Sequence, residues 1–176
     1  MERAKDIIVR GKREVNLRHC TDYFLADGEV NRYNNSEVLY LEDRLRRYVK
    51  VDVWEEWNHI VNSNIEELKA SHSFDELCEK LSNLKIKGIG SESIIATAAQ
   101  LAYKYDDIVI DDSCWHVGFL QEASICKLIR VKCGLMPRDF CNTYIPHFDA
   151  LSDKAKILAI VAFADLIRKY IVHSNI

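Results

Sequence analysis

Two glycines one residue apart, Gly88 and Gly90, enclose Ile89 and are followed by Ser91, and this is the group whose types and spacing point most directly to chemistry. Glycine lets a backbone turn tightly because no Cβ stands in the way. The aliphatic Ile89 is expected to point inward and pin two flanking helices together. The first backbone N–H groups of the second helix then face outward. Such orphan donors, helped by the helix dipole, form an anion site suited to one or two phosphates. Farther along, Asp111 and Asp112 stand in front of another helical segment, where the ordinary work of aspartate is to cap the helix. The basic run Arg44, Arg46, Arg47 and Lys50 is either a solvated face or a second contact for a phosphate backbone.

These residues need elements to hold them, and the chain announces most of them. Asp52 with Glu55 opens a helix expected to run to about Lys69, with Trp54 and Trp57 on its buried face. Ser73-Phe74-Asp75-Glu76 is a capping box for a second helix that ends near Asn83. After Lys87-Gly88-Ile89-Gly90 an Ala-rich helix runs from Ser93 to Tyr105. Ile108-Val109-Ile110 reads as a brief extended run. Asp112 or Ser113 then caps a long helix that stops at Gly134, a C′ glycine. Pro137 suits the first turn of a short helix, and Ser152 caps a final one. The apolar stretch Ile157 to Ile171 lies within that last helix, where Asp165 would find Lys169 one turn away if it were buried. Residues 1–50 read less regularly. Ile7 to Val9 and Val15 to Leu17 are either short strands or one helix broken at Gly11. Asp27-Gly28 and Asn31 to Ser36 are turn chemistry. Glu37 to Val49 has helical spacing, with Val38, Leu41, Leu45 and Tyr48 on one face.

The sum is an all-α fold: a single helical domain over 1–176, with a short strand or irregular segment in 1–50 and, over 74–105, two helices joined by a short glycine hairpin. The scarcity of breakers agrees, with six glycines and two prolines in 176 residues. A net charge of −3 argues against a broadly basic, nucleic-acid-coating surface but leaves room for a small phosphate site. The N-terminal Met1 to Arg13 is charged and has no apolar core of a secretory signal. The stretch Ile157 to Ile171 is too short and too charged for a bilayer. The expectation is a cytoplasmic chain without a membrane partner. Cys20, Cys78, Cys114, Cys126, Cys133 and Cys141 contain no C-x-x-C pair and read as buried reduced thiols, not as metal ligands.

Leu84-Lys85-Ile86-Lys87-Gly88-Ile89-Gly90 before an Ala-rich helix resembles the helix-hairpin-helix motif, the phosphate-gripping element of many DNA repair proteins. The likeness extends over about residues 74–128. Helix-hairpin-helix DNA glycosylases follow the hairpin with one helix, a short extended run and a catalytic aspartate at the cap of the next helix. Ile108-Val109-Ile110-Asp111-Asp112 stands in that place. The resemblance implies that Gly88, Ile89, Gly90 and Ser91 grip a backbone phosphate of duplex DNA, with Lys87, Arg44, Arg46 and Arg47 as further contacts. It also implies that Asp111 or Asp112 stabilises an oxocarbenium-like sugar and positions water. Trp54, Trp57 or Trp115 would stack on the extruded base. The bifunctional members carry a Schiff-base lysine where this chain has Glu92, so the implied cleavage is monofunctional. No metal or organic cofactor is implied beyond room for a monovalent cation at the hairpin. Two other readings use the same residues: a non-enzymatic DNA-binding module, and a helical scaffold or protein-interaction domain whose hairpin is purely structural.

Overall fold

The computed structural model describes residues 6–9, 13–25 and 43–174, and these are mainly helical. They divide into two units of contacts, one from residues 1–32 with 124–176 and one from residues 33–123.

In the first unit, strands β1 (Asp6–Val9) and β2 (Arg13–Asn16) pair antiparallel with Ile7 opposite Val15. Of the two readings open for this stretch, strands are therefore the observed one. Its β-branched residues suit a pleated ladder better than a helix. Asn16 then turns the chain: its side-chain oxygen accepts the Arg18 amide at 2.9 Å, and helix α1 (His19–Leu25) follows. The buried Thr21 hydroxyl donates to the Pro146 carbonyl at 2.9 Å, tying α1 to the C-terminal part of the same unit.

Helix α2 (Asp43–Arg46) opens the described part of the second unit, and α3 (Val51–Ser63) and α4 (Ile65–Lys69) follow. The expected turn over 27–36 and the expected helical residues 37–42 lie outside the described residues. What is described corrects the expected face: Leu45 is buried, but the helix ends at Arg46 and Tyr48 is 99% exposed. The expected Asp52 cap is also corrected. The helix starts one residue before Asp52, with Lys50 at the N-cap and no side-chain cap, so Asp52 sits in the first turn against the dipole. Nor does this helix run unbroken to Lys69. Asn62, Ser63 and Asn64 each turn a side-chain donor back onto the carbonyl four residues earlier, at 2.8, 2.9 and 2.8 Å, and the backbone leaves helical geometry at Asn64. Side chains that compete for helix carbonyls in this way weaken the regular ladder.

Helix α5 (Phe74–Ser82) has the expected cap: the Glu76 amide donates to Ser73 Oγ at 3.0 Å. The Glu76 carboxylate reaches back to the amide of His72, one residue outside the usual box. Helix α6 (Ser91–Lys104) begins two residues earlier than expected and packs on α5. Its buried Ala96, Ala98, Ala99 and Ala102 have little side chain to hold the neighbouring helix away. Ile108 to Ile110 is non-helical, and the Val109 amide donates to the Ser71 carbonyl at 3.2 Å.

The long helix expected from Asp112 to Gly134 is three pieces. Two 3₁₀ turns, Asp112–Trp115 and Phe119–Glu122, precede helix α7 (Ser124–Cys133), which begins the rest of the first unit. The break falls at Gly118, whose φ of +105° is left to glycine. Asp75 occupies the space a β-carbon would need there and accepts the Phe119 amide at 3.0 Å.

The remaining start and stop signals act where they stand. Gly134 follows α7 at φ +65°, its amide donating to the Arg130 carbonyl at 3.1 Å. Pro137 opens α8 (Pro137–Tyr144). Ser152 Oγ accepts the Ala155 amide at 3.2 Å and caps α9 (Asp153–Ala162). The expected single final helix is interrupted at Phe163 (ψ 23°), and α10 (Ala164–Ser174) continues. Helix α9 buries its whole run Ile157 to Val161, whereas α10 buries only Ala164, Ile167, Tyr170 and Ile171. Asp165 therefore lies on the exposed face. It pairs with Arg168 at 3.0 Å, not with Lys169. Among the described residues, no helix is long and apolar enough to cross a membrane.

Candidate functional site

The hairpin between α5 and α6 is built from two consecutive local devices. After the Asn83 C-cap, Lys85 takes up a left-handed conformation (φ +51°) and directs the chain away from the helix. Ile86-Lys87-Gly88-Ile89 then closes as a turn, with the Ile89 amide donating to the Ile86 carbonyl at 3.1 Å. Gly88 holds the third position of that turn at φ +93°, where a type II turn requires positive φ.

The two glycines do different work. At Gly88 a β-carbon would be strained by φ and would meet Val53 Cγ1 of α3 at 3.1 Å. At Gly90 the backbone is extended (φ −101°, ψ −173°) and a β-carbon would have nothing within 4 Å. Gly90 is the N-cap of α6 and brings no side chain to the first-turn amides. Its carbonyl accepts the first helical bond, from Ile94 at 3.1 Å. The result is a helix start over which Lys85, Lys87, Gly88, Gly90 and Ser91 are all exposed. Ile89, expected to point fully inward, is only half-buried. The closer approach between elements is made at Gly88 and Val53.

The basic segment belongs to the same unit. Helix α2, which carries Arg44 and Arg46, packs against α6; the side chain of Arg44 lies outside the described part. Just beyond, Arg46 to Val49 forms a turn closed twice. The Val49 amide donates to the Arg46 carbonyl at 3.0 Å, and the Arg46 guanidinium donates to the Val49 carbonyl at 3.1 Å. Arg47 within it is left-handed at φ +49°.

Asp111 and Asp112 are both exposed at the start of the first 3₁₀ turn. Asp111 caps it: one carboxylate oxygen accepts the Ser113 amide at 3.0 Å and, in a short contact, the Ser113 hydroxyl as well. The Asp111 carbonyl accepts Cys114 Sγ–H at 3.2 Å. Asp111 thus has the local geometry of a structural cap, while Asp112 is the first residue of the turn.

The three tryptophans are core. Trp57 is fully buried, and its indole N–H donates to Thr97 Oγ1 at 2.9 Å, which in turn donates to the Ser93 carbonyl at 2.7 Å. Trp115 is buried, as is Trp54, whose indole nitrogen has no hydrogen-bond partner. The expectation that one of them stacks on an extruded base is corrected on this ground, since a ring enclosed by its own fold offers no face. Exposed aromatic surface stands instead at Tyr48, which helical spacing had placed on the apolar side. Arg47's positive φ is the cause of the difference, and periodicity carries no signal for it.

The six cysteines are free thiols, and all but Cys133 are buried. Burial pushes the Cys20 thiol up to about 12 and raises those of Cys78 and Cys141, so they stay protonated and unreactive near neutrality. Among the described residues, no group of three or more His, Cys, Asp or Glu side chains is placed to hold a metal ion. Comparison with protein-family models, with curated proteins and with solved structures finds no match to this chain.

Proposed function

We propose that this chain binds duplex DNA through the hairpin over residues 86–91, gripping a backbone phosphate with the first-turn amides of α6. The observation that carries this reading is the Gly90 N-cap: an exposed start to a helix of 14 residues, with no capping side chain and two exposed lysines, Lys85 and Lys87, in the connection that precedes it. Backbone donors and the helix dipole favour an anion there, and phosphate fits the spacing of consecutive amides. Arg46 and Arg47, on a segment that packs beside α6, supply a second contact to the same strand. Contacts of this kind read no sequence. The slightly acidic chain limits them to a small footprint.

The binding module is the core of the proposal, and glycosidic cleavage is its enzymatic extension. In that extension Asp111 or Asp112, both exposed at the start of the 3₁₀ turn, takes the catalytic role. The rival reading is a helical scaffold with a purely structural hairpin, and the fit of Gly88 against Val53 favours it. Folding alone gives a steric reason for glycine at 88, and at 90 only the preference of an N-cap for glycine over alanine. Fluorescence anisotropy with a labelled duplex at low salt tests the module: measurable, sequence-independent binding that weakens with salt is expected. Incubation with damaged-base duplexes tests cleavage, and activity that survives both Asp111→Asn and Asp112→Asn removes these carboxylates from the mechanism.

A further inference from the structure

We infer that Tyr48 is a stacking platform for an unpaired nucleobase, so that nucleic acid held at the hairpin is preferred when it carries a single-stranded position. The inference rests on the hairpin reading and adds a substrate class to it.

A tyrosine side chain normally recovers part of its apolar surface from a neighbour, yet Tyr48 is 99% exposed. It is not exposed by fraying. The turn that carries it is held by two hydrogen bonds between Arg46 and Val49, one from the backbone and one from the guanidinium. Arg47 adopts a left-handed backbone (φ +49°) within it, a conformation that a long side chain adopts at some cost. The chain thus spends local strain to keep a flat aromatic ring in solvent on a fixed support. Val51, three residues on, is 55% exposed as well.

The surroundings choose the occupant. Arg46, Arg47 and Lys50 lie within two residues of Tyr48 in the sequence. An exposed aromatic side chain on a segment rich in cations complements a polyanion whose bases have free π-faces, which is the composition of sites for single-stranded nucleic acid. A paired base inside a duplex offers no such face. The location agrees with the hairpin as well. Val53, five residues beyond Tyr48, is the residue that Gly88 packs against, and α2 immediately before Tyr48 packs on α6. A strand gripped at Gly90 therefore has the ring within the same unit.

The test compares three proteins, the natural chain, Tyr48→Ala and Tyr48→Phe, on an intact duplex, on the same duplex with a three-nucleotide bulge, and on a single strand of equal length. The expected result is a preference of roughly ten-fold for the bulged or single-stranded probe, lost in Tyr48→Ala and kept in Tyr48→Phe, with intact-duplex affinity unchanged in all three. Because Tyr48 is exposed, the variants retain the fold, which circular dichroism verifies. Duplex binding with no preference, or a preference that survives Tyr48→Ala, overturns the inference while leaving the hairpin reading in place. Absence of binding to every probe overturns the hairpin reading itself. A Tyr48→Ala variant that alters only self-association in sedimentation assigns the ring to a protein interface and overturns the inference too.

Discussion

The carboxylate of Asp75 fills the space that a β-carbon at Gly118 would need, and one of its oxygens accepts the neighbouring Phe119 amide at 3.0 Å. This contact joins the first turn of α5 to the break between the two 3₁₀ turns. It holds the 112–122 segment against the helix that leads into the hairpin.

Gly118→Ala is expected to destabilise the protein by about 2–3 kcal/mol. The substitution strains a backbone at φ +105° and obliges Asp75 to move off the Phe119 amide. Urea denaturation checks this. In a double-mutant cycle, Gly118→Ala and Asp75→Ala should cost less together than the sum of the two singly, because the first change already breaks the bond that the second removes.

The hairpin glycines separate by their surroundings. Gly88→Ala should cost about 1–2 kcal/mol, from positive φ and the 3.1 Å approach to Val53. Gly90→Ala should cost less, about 0.5–1 kcal/mol, because an N-cap with extended backbone favours glycine over alanine although the space there is open. Thermal or urea unfolding of the two variants side by side gives the comparison.

The buried thiols set a limit on the alkaline side. Cys20 titrates at about 12 in the folded protein against a reference value of 9.0, and Cys78 and Cys141 are raised as well. A pKa raised on folding means that the folded state keeps a proton which the unfolded chain gives up. This stabilisation is full below about pH 9 and falls away as pH climbs toward the folded values. Urea midpoints should therefore drop steadily above pH 9, and Cys20→Ala should shallow that slope. Alkylation of the native protein at pH 8 should mark Cys133 first, the one thiol that is not buried.

Ser73→Ala removes the acceptor of the Glu76 amide and is expected to cost about 1 kcal/mol. The Ser73 cap, the Gly134 stop, Pro137 and the Ser152 cap were all legible because each acts through hydrogen bonds or sterics within a few residues. The breaks were not. Gly118 is a break because of Asp75, far away in the sequence, and the interruption at Asn64 depends on three side chains turning back onto their own helix. The Asp52 signal competed with a start one residue earlier, a shift that capping patterns resolve poorly. Within the candidate site, the glycine pair was legible as a turn before a helix. That Gly88 answers to Val53 and Gly90 to nothing depends on tertiary contact. Tyr48 was misplaced for a related reason: periodicity assumes that the helix continues, and the left-handed Arg47 ends it.

The measurement that bears most directly on phosphate binding at the hairpin is duplex affinity at low salt for Gly90→Asp. The extended backbone and the open space at Gly90 admit the side chain, and aspartate is a preferred N-cap. The new carboxylate would take the first-turn amides for itself and place a negative charge where the phosphate sits. Stability should rise by a few tenths of a kcal/mol while affinity falls at least about ten-fold, with a shallower salt dependence. A Gly90→Asp protein that is as stable as the natural chain or more so, and that binds duplex equally well, would contradict the claim.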